Sequence, residues 1–93
     1  MKSKLFTIRD AAAGIYMSVW STPTTAMAIR SFAEECTNQQ SPMSKNPTDY
    51  ELFEIGEFDN ETGMVIETIP RSIARATDYK DSTNATQPEK TRQ

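Results

Sequence analysis

The sequence predicts a small α+β domain of two layers: one helix packed on a mostly antiparallel sheet of three to four strands, followed by a disordered polar tail. Three observations predict it. Residues 4–9 (KLFTIR) alternate with the period of two that marks a strand. Residues 26–36 (AMAIRSFAEEC) space their apolar side chains as an amphipathic helix does. YELFEIGEF and MVIETI flank the turn-forming DNETG, the pattern of a hairpin.

Each element has a local reason. In the first strand Leu5, Thr7 and Arg9 share one face and Phe6 and Ile8 the other. The following DAAAGIYMSVWSTP holds an alanine run, one glycine and then IYMSVW, which suits either a loop with a second short strand or an edge segment. Its Tyr16 and Trp20 are too large to be left in water casually and are expected to roof the core. The helix starts at a threonine cap, Thr22 ahead of Pro23 or else Thr24, because either hydroxyl can accept an orphan backbone N–H. Ala26, Ile29, Ala33 and Cys36 then fall on one face, flanked by Phe32, so Cys36 reads as a small buried core residue. The helix must stop before NQQSP, since Pro42 biases its predecessor away from helical geometry. SPMSKNPTDY is expected to reverse the chain, with one helical turn at PTDY.

In the hairpin's first strand Phe53 and Ile55 are assigned to one face and Tyr50, Leu52 and Phe58 to the other. A strand apolar on both sides belongs in the interior of the sheet, with Gly56 as a bulge or a point of close packing. Gly63 supplies the positive φ of the turn, and Pro70 is expected to end the returning strand. RSIARATDY suits a helical turn or a strand, and its four-residue spacing puts Arg71 and Arg75 on one side in both cases.

One folded unit is all that 93 residues with 37% apolar side chains support. From Tyr79 onward no aliphatic side chain is larger than alanine, so the domain is placed at residues 1–78 and the tail at 79–93. A domain of this size buries only about 60–65% of its unfolded surface, which favours stability shared with a partner. Three strands and one helix also leave a sheet edge or face open, so a homodimer that extends or covers the sheet is expected.

Composition excludes much chemistry. There is no histidine, the commonest general base, metal ligand and activator of serine or cysteine nucleophiles, so the chain is expected not to be an enzyme and no catalytic residue is assigned. The single cysteine, Cys36, permits neither an internal disulfide nor a thiolate zinc site, and a reducing compartment is the simple reading. The glycines are isolated and form no phosphate loop, and DNETG lacks the ligand spacing of a calcium loop, so no cofactor and no metal are expected. MKSKLFTIRD lacks the apolar run of a signal peptide, and no segment approaches a membrane span; a soluble protein that is not exported is expected.

What remains is binding. Residues 49–67 carry seven carboxylates and no base, while both flanks are net basic. The sequence therefore offers two surfaces. Lys4, Arg9, Arg71 and Arg75 on the flanks form a nucleic-acid-binding set, contacting phosphates without sequence preference, with aromatic side chains nearby on which single-stranded bases could stack. Glu51, Glu54, Glu57, Asp59 and Glu61 form an acidic protein-interaction set, with Glu51 and Glu57 on one face of the strand and Glu54 on the other.

LFTIRDAAAG, AMAIRSFAEEC, SPMSKNPTDYELFEIGEFDNETG and PRSIARATDY, in this order, resemble the small nonstructural protein of gokushovirus-type microviruses, tailless phages with circular single-stranded DNA. The resemblance spans roughly residues 4 to 79. It implies a bacteriophage protein of the infected host's cytoplasm, absent from the virion, that acts in viral DNA replication as a candidate DNA-binding protein or as a factor favouring single-strand production and packaging. It supplies no catalytic residues. The partners expected are single-stranded DNA or, in the alternative, a phage or host replication protein or capsid precursor engaged by the acidic hairpin.

Overall fold

The structure, a computed structural model, describes residues 1–79. Its elements run β1 (Lys2–Asp10), β2 (Ile15–Tyr16), β3 (Trp20–Thr22), α1 (Thr25–Thr37), α2 (Pro42–Lys45), a 3₁₀ turn (Pro47–Asp49), β4 (Tyr50–Asp59) and β5 (Met64–Arg75). All strand pairs are antiparallel, in the order β2-β1-β4-β5, with β3 also on β1. The α+β expectation holds. The ambiguous stretch after β1 resolves into two short strands, and β4 is the interior strand its apolar pattern predicts.

Thr24 is the helix cap, its side chain accepting from the Met27 N–H at 3.2 Å. Asn38 ends α1 before the polar segment. The buried stripe is Ala28, Phe32 and Cys36, not the one expected: Ala26 is exposed and Ala33 only half-buried. The expected register was two residues off at its start, because small alanines fit either side of a helix and only Phe32 fixes the rotation. α1 lies across one face of the sheet and encloses Phe6, Ile8, Leu52 and Ala74 with Met43 from α2 and Ala76 from the chain after β5. Each large side chain so enclosed contributes about 1.5–3 kcal/mol.

Two irregularities reshape the sheet. Opposite β1 the register slips at Leu5/Phe6, leaving Ile55 as an extra residue on β4. Opposite β5, Glu54 pairs with Arg71 and Gly56 with Glu67, so Thr68, Ile69 and Pro70 bulge out against Ile55 alone. Pro70 thus does not end the strand: it sits in this bulge, where no ladder N–H is needed, and β5 continues to Arg75. Gly56 stands here because a Cβ would collide with the carbonyl oxygen of Ile66. Gly63 closes the hairpin at φ 77°.

The bulges alter which residues share a face. Phe58 pairs with Ser3 and Phe53 with Thr7, two β1 residues of one face, so Phe58 joins Phe53 instead of opposing it. Glu54 and Glu57 pair with Phe6 and Lys4 and share the helix-side face, whereas Glu51 pairs with Arg9 on the other; the expected pairing of Glu51 with Glu57 is wrong for this reason. Arg71 lies opposite Glu54 and Arg75 opposite Glu51, so these arginines occupy opposite faces, against the even-spacing argument, because Ile73 is one extra residue between them. Tyr79, assigned to the tail, packs edge-on against Phe32 at 6.0 Å between centroids and belongs to the fold. The remainder of the expected tail, 80–93, lies outside the described residues.

Candidate functional site

Cross-strand pairing brings the predicted basic and acidic sets together. On the helix side Glu54 receives Arg71 at 2.9 Å and Lys4 at 3.7 Å, and the Thr25 hydroxyl donates to it at 3.3 Å. Its side chain is largely enclosed by these partners, which come from β1, β5 and the first residue of α1. On the opposite face Glu51 receives Arg75 at 3.9 Å and a hydrogen bond from the Ser72 hydroxyl. Three of the four predicted phosphate-contacting cations thus each hold a carboxylate of the predicted protein-interaction set.

Arg9 differs. Among the described residues it has no carboxylate within ion-pair distance, and its guanidinium lies over the Tyr16 ring, 5.3 Å from the centroid. Tyr16 in turn packs on Phe53, 5.6 Å between centroids and tilted by 57°. Arg9, Tyr16 and Phe53 stand on β1, β2 and β4, on the sheet face away from α1, and Arg75 on β5 borders the same face. Tyr16 is 47% exposed, so it does not roof the core as expected; Trp20 does, lying 6.0 Å from Phe6. The loop carrying Tyr16 is pinned because the buried Thr7 hydroxyl donates to the Met17 carbonyl at 2.9 Å. Beside the stack, Arg9, Pro47, Asp49, Tyr50 and Arg75 line a cleft of about 220 Å³. Burial, followed by the charges of Asp10 and Asp49, pushes the Tyr50 hydroxyl above its usual range, so it stays a neutral hydrogen-bonding group in the cleft.

The distal end of the hairpin is the acidic end. Glu57, Asp59, Glu61 and Glu67 have no Lys or Arg within ion-pair distance among the described residues; only the N-terminal ammonium approaches, 3.8 Å from Asp59 and 3.2 Å from Glu61. The Glu61 backbone N–H donates to Asp59 at 2.9 Å and is the main cause that holds this carboxyl below its usual range.

Sequence reasoning named these charges but not their grouping. It did not single out Tyr16 and Phe53 as a pair, because β2 reaches β4 only across β1, a neighbourhood set by topology. Arg9 alternating with apolar β1 residues was the one available signal. Among the described residues no three His, Cys, Asp or Glu side chains are placed to hold a metal ion, and no helix is long and apolar enough to cross a membrane. Burial, with smaller contributions from Glu35 and Asp78, pushes the Cys36 thiol up to about 11, which suits a core residue and not a nucleophile.

A protein-family model described as Phage ORF5 protein matches residues 3–79, nearly the whole of the described fold. No curated protein and no solved structure shows significant similarity to the chain.

Proposed function

Because the chain belongs to the Phage ORF5 protein family, we propose that it is a non-catalytic accessory protein of a gokushovirus-type microvirus that contacts single-stranded DNA during genome replication or packaging. It acts in the host cytoplasm and stays out of the virion. The observation that carries this reading is the Arg9–Tyr16–Phe53 stack on the uncovered face of the sheet. Two aromatic rings on a strand platform offer π-faces to unpaired bases of any sequence, and Arg9 with Arg75 supplies phosphate contacts at the border. Lys4 and Arg71 stand on the other face, held by Glu54, and have no part in this platform.

The test is a titration of labelled single-stranded and duplex DNA at two salt concentrations. Single strands bind better than duplex, and binding weakens with salt. Replacing Tyr16 and Phe53 with leucine weakens single-strand binding at least tenfold, as the loss of about 1–3 kcal/mol per stacked base requires. Arg9→Gln flattens the salt dependence. Equal binding by the leucine variant refutes the platform.

The distal carboxylates favour a second reading, in which the acidic hairpin engages a basic surface on a replication, host or capsid protein. Glu57→Lys with Glu67→Lys then abolishes capture of that partner and leaves DNA binding equal or stronger. Capture that survives the reversal removes this reading.

A further inference from the structure

The cleft beside the stack is lined by charges of both signs that do not satisfy one another. Arg9 stands directly opposite Glu51, and Glu51 directly opposite Arg75, on β1, β4 and β5. Glu51 is engaged by Arg75 and the Ser72 hydroxyl. Arg9 is half-buried and lies over the Tyr16 ring, a contact that uses none of its five N–H donors. Asp49, at the end of the 3₁₀ turn, is also half-buried in the cleft wall, and among the described residues its carboxylate has neither a hydrogen bond nor an ion pair. Its backbone is fixed on both sides: its N–H donates to the Asn46 carbonyl at 3.0 Å, and its carbonyl accepts from the Ala11 N–H at 2.8 Å. A cation and a carboxylate, each partly withdrawn from water and neither paired, are groups for which a ligand offers what the chain does not.

The mixture of signs selects the occupant. A phosphate suits the arginines but meets Asp49 and Glu51, and an ammonium group meets the reverse problem. The occupant must carry acceptors and donors on adjoining edges. Guanine does: its O6 and N7 accept from an arginine in the commonest specific base contact. Its N1–H and N2 amino group, next to O6, donate side by side to a carboxylate. Thymine offers a carboxylate one N–H between two carbonyl oxygens, which repel it. Adenine and cytosine have an amino group but no second N–H beside it. At about 220 Å³ the cleft lies below the roughly 300–1,000 Å³ of sites for drug-sized ligands, which suits one flat base.

We propose that this cleft seats one unpaired guanine of a single strand, with O6 and N7 on Arg9 and N1–H and the N2 amino group on the Asp49 carboxylate. The proposal rests on the single-strand reading above and deepens it: the Tyr16–Phe53 platform takes any base, and the cleft selects one. It also gives a second reason for rejecting duplex, where the N1 and N2 edge of guanine is taken by its partner base.

The affinity of the whole chain for a twelve-residue thymine strand is compared with that for the same strand carrying one central guanine. The guanine strand binds about tenfold tighter, towards the low end of what one bidentate base contact discriminates. Hypoxanthine in that place lacks the N2 amino group, 7-deazaguanine lacks N7, and each forfeits most of the advantage. Asp49→Asn, whose folding a thermal melt checks, brings the guanine and thymine strands within about twofold of each other. Deoxyguanosine monophosphate alone probes the cleft apart from the platform: it shifts the amide resonances of residues 48–50, and thymidine monophosphate does not. Equal affinity for the two strands overturns the cleft and leaves the platform standing, as does a guanine advantage that Asp49→Asn keeps. If neither strand binds but deoxyguanosine monophosphate still shifts those resonances, the selectivity of the cleft stands and the platform falls. No response to either strand or to the nucleotide removes both.

Discussion

Leu52 and Val65 stand on paired strands of one hairpin, yet Leu52 has lost all contact with water and Val65 keeps 62% of its surface exposed. Side-chain type does not separate them; cover does. The thirteen residues of α1 make a rod of about 20 Å. The ten residues of β4 extend about 33 Å and the twelve of β5 further still. A helix of that length can roof only one end of the hairpin, so the proximal end is a core and the distal end is a bare ribbon. The lesson is that apolar content on a strand reports burial only where a second layer reaches it, and elsewhere it reports contact with something outside the chain.

Truncation separates the two ends most sharply. Phe32→Ala, which removes the ring that α1 sets into the core, is expected to cost about 3–5 kcal/mol, and Leu52→Ala about 2–5 kcal/mol. Val65→Ala, two methyl groups removed from the ribbon, is expected to change stability by no more than about 0.5 kcal/mol. Urea melts of dilute protein measure all three. Equal losses at Leu52 and Val65 would mean that the ribbon is covered within one copy.

Gly56 marks the seam between the two ends, and Gly56→Ala tests whether they are energetically separate. The added methyl meets the Ile66 carbonyl oxygen, and displacing that backbone is expected to cost about 1–3 kcal/mol. Amide exchange should accelerate from residue 56 to 67 while the amides of α1 and of residues 6–8 keep their protection. Uniform acceleration would show that ribbon and core open together.

Much of this division was legible in the sequence, and what was not has identifiable causes. Strands β1 and β4, the helix with its two candidate caps, the buried Cys36 and the interior position of β4 follow from patterns inside one window, whereas β2, β3 and the end of β5 do not. The faces of Phe58, Glu57 and Arg75 do not, because each lies beyond a bulge that shifts the period-2 pattern by one residue. Pro70 was misread for the same reason, a bulge being one of the few places in a strand that tolerates proline. The candidate site suffered more than the fold. Its charges were all visible, but pairing is a property of register, and register places Arg71 on Glu54 and Arg75 on Glu51. The Tyr16–Phe53 contact depends on which edge of β1 accepts β2, and no local pattern contains that choice.

A pH titration tests the proximal core more gently. Burial raises the Cys36 thiol from its ordinary 9.0 to about 11, and burial likewise raises Tyr79, which packs on Phe32. Groups raised in the folded state favour folding while neutral and disfavour it once the unfolded chain can ionise more readily. Stability is therefore full below pH 9 and falls as the pH climbs from 9 to about 11. Thermal melts across that window should show the fall, and Cys36→Ala, though less stable throughout, should show a shallower one. A parallel slope in that variant would assign the fall to the tyrosines alone.

The smallest expected effect compares the two carboxylates that hold the flanking cations. Both arginines are mostly in water, but Glu54 is the more enclosed carboxylate and is bonded to Arg71 at 2.9 Å, whereas the Glu51–Arg75 pair is longer, at 3.9 Å. Exposed pairs contribute about 0–1 kcal/mol, and the more enclosed one should stand near the top of that range. Double-mutant cycles with Glu54→Gln and Arg71→Gln, and with Glu51→Gln and Arg75→Gln, should give a coupling of about 0.5–1 kcal/mol for the first and close to zero for the second. The consequence for binding runs the other way. Glu51→Gln removes a negative charge from the face that carries Arg9 and Arg75, so it should strengthen single-strand binding at low salt, whereas Glu54→Gln frees cations on the face that carries no aromatic platform. If Glu54→Gln strengthens binding more than Glu51→Gln does, the nucleic-acid surface is the helix side, and Lys4 with Arg71 replaces Arg9 with Arg75 as its cationic pair.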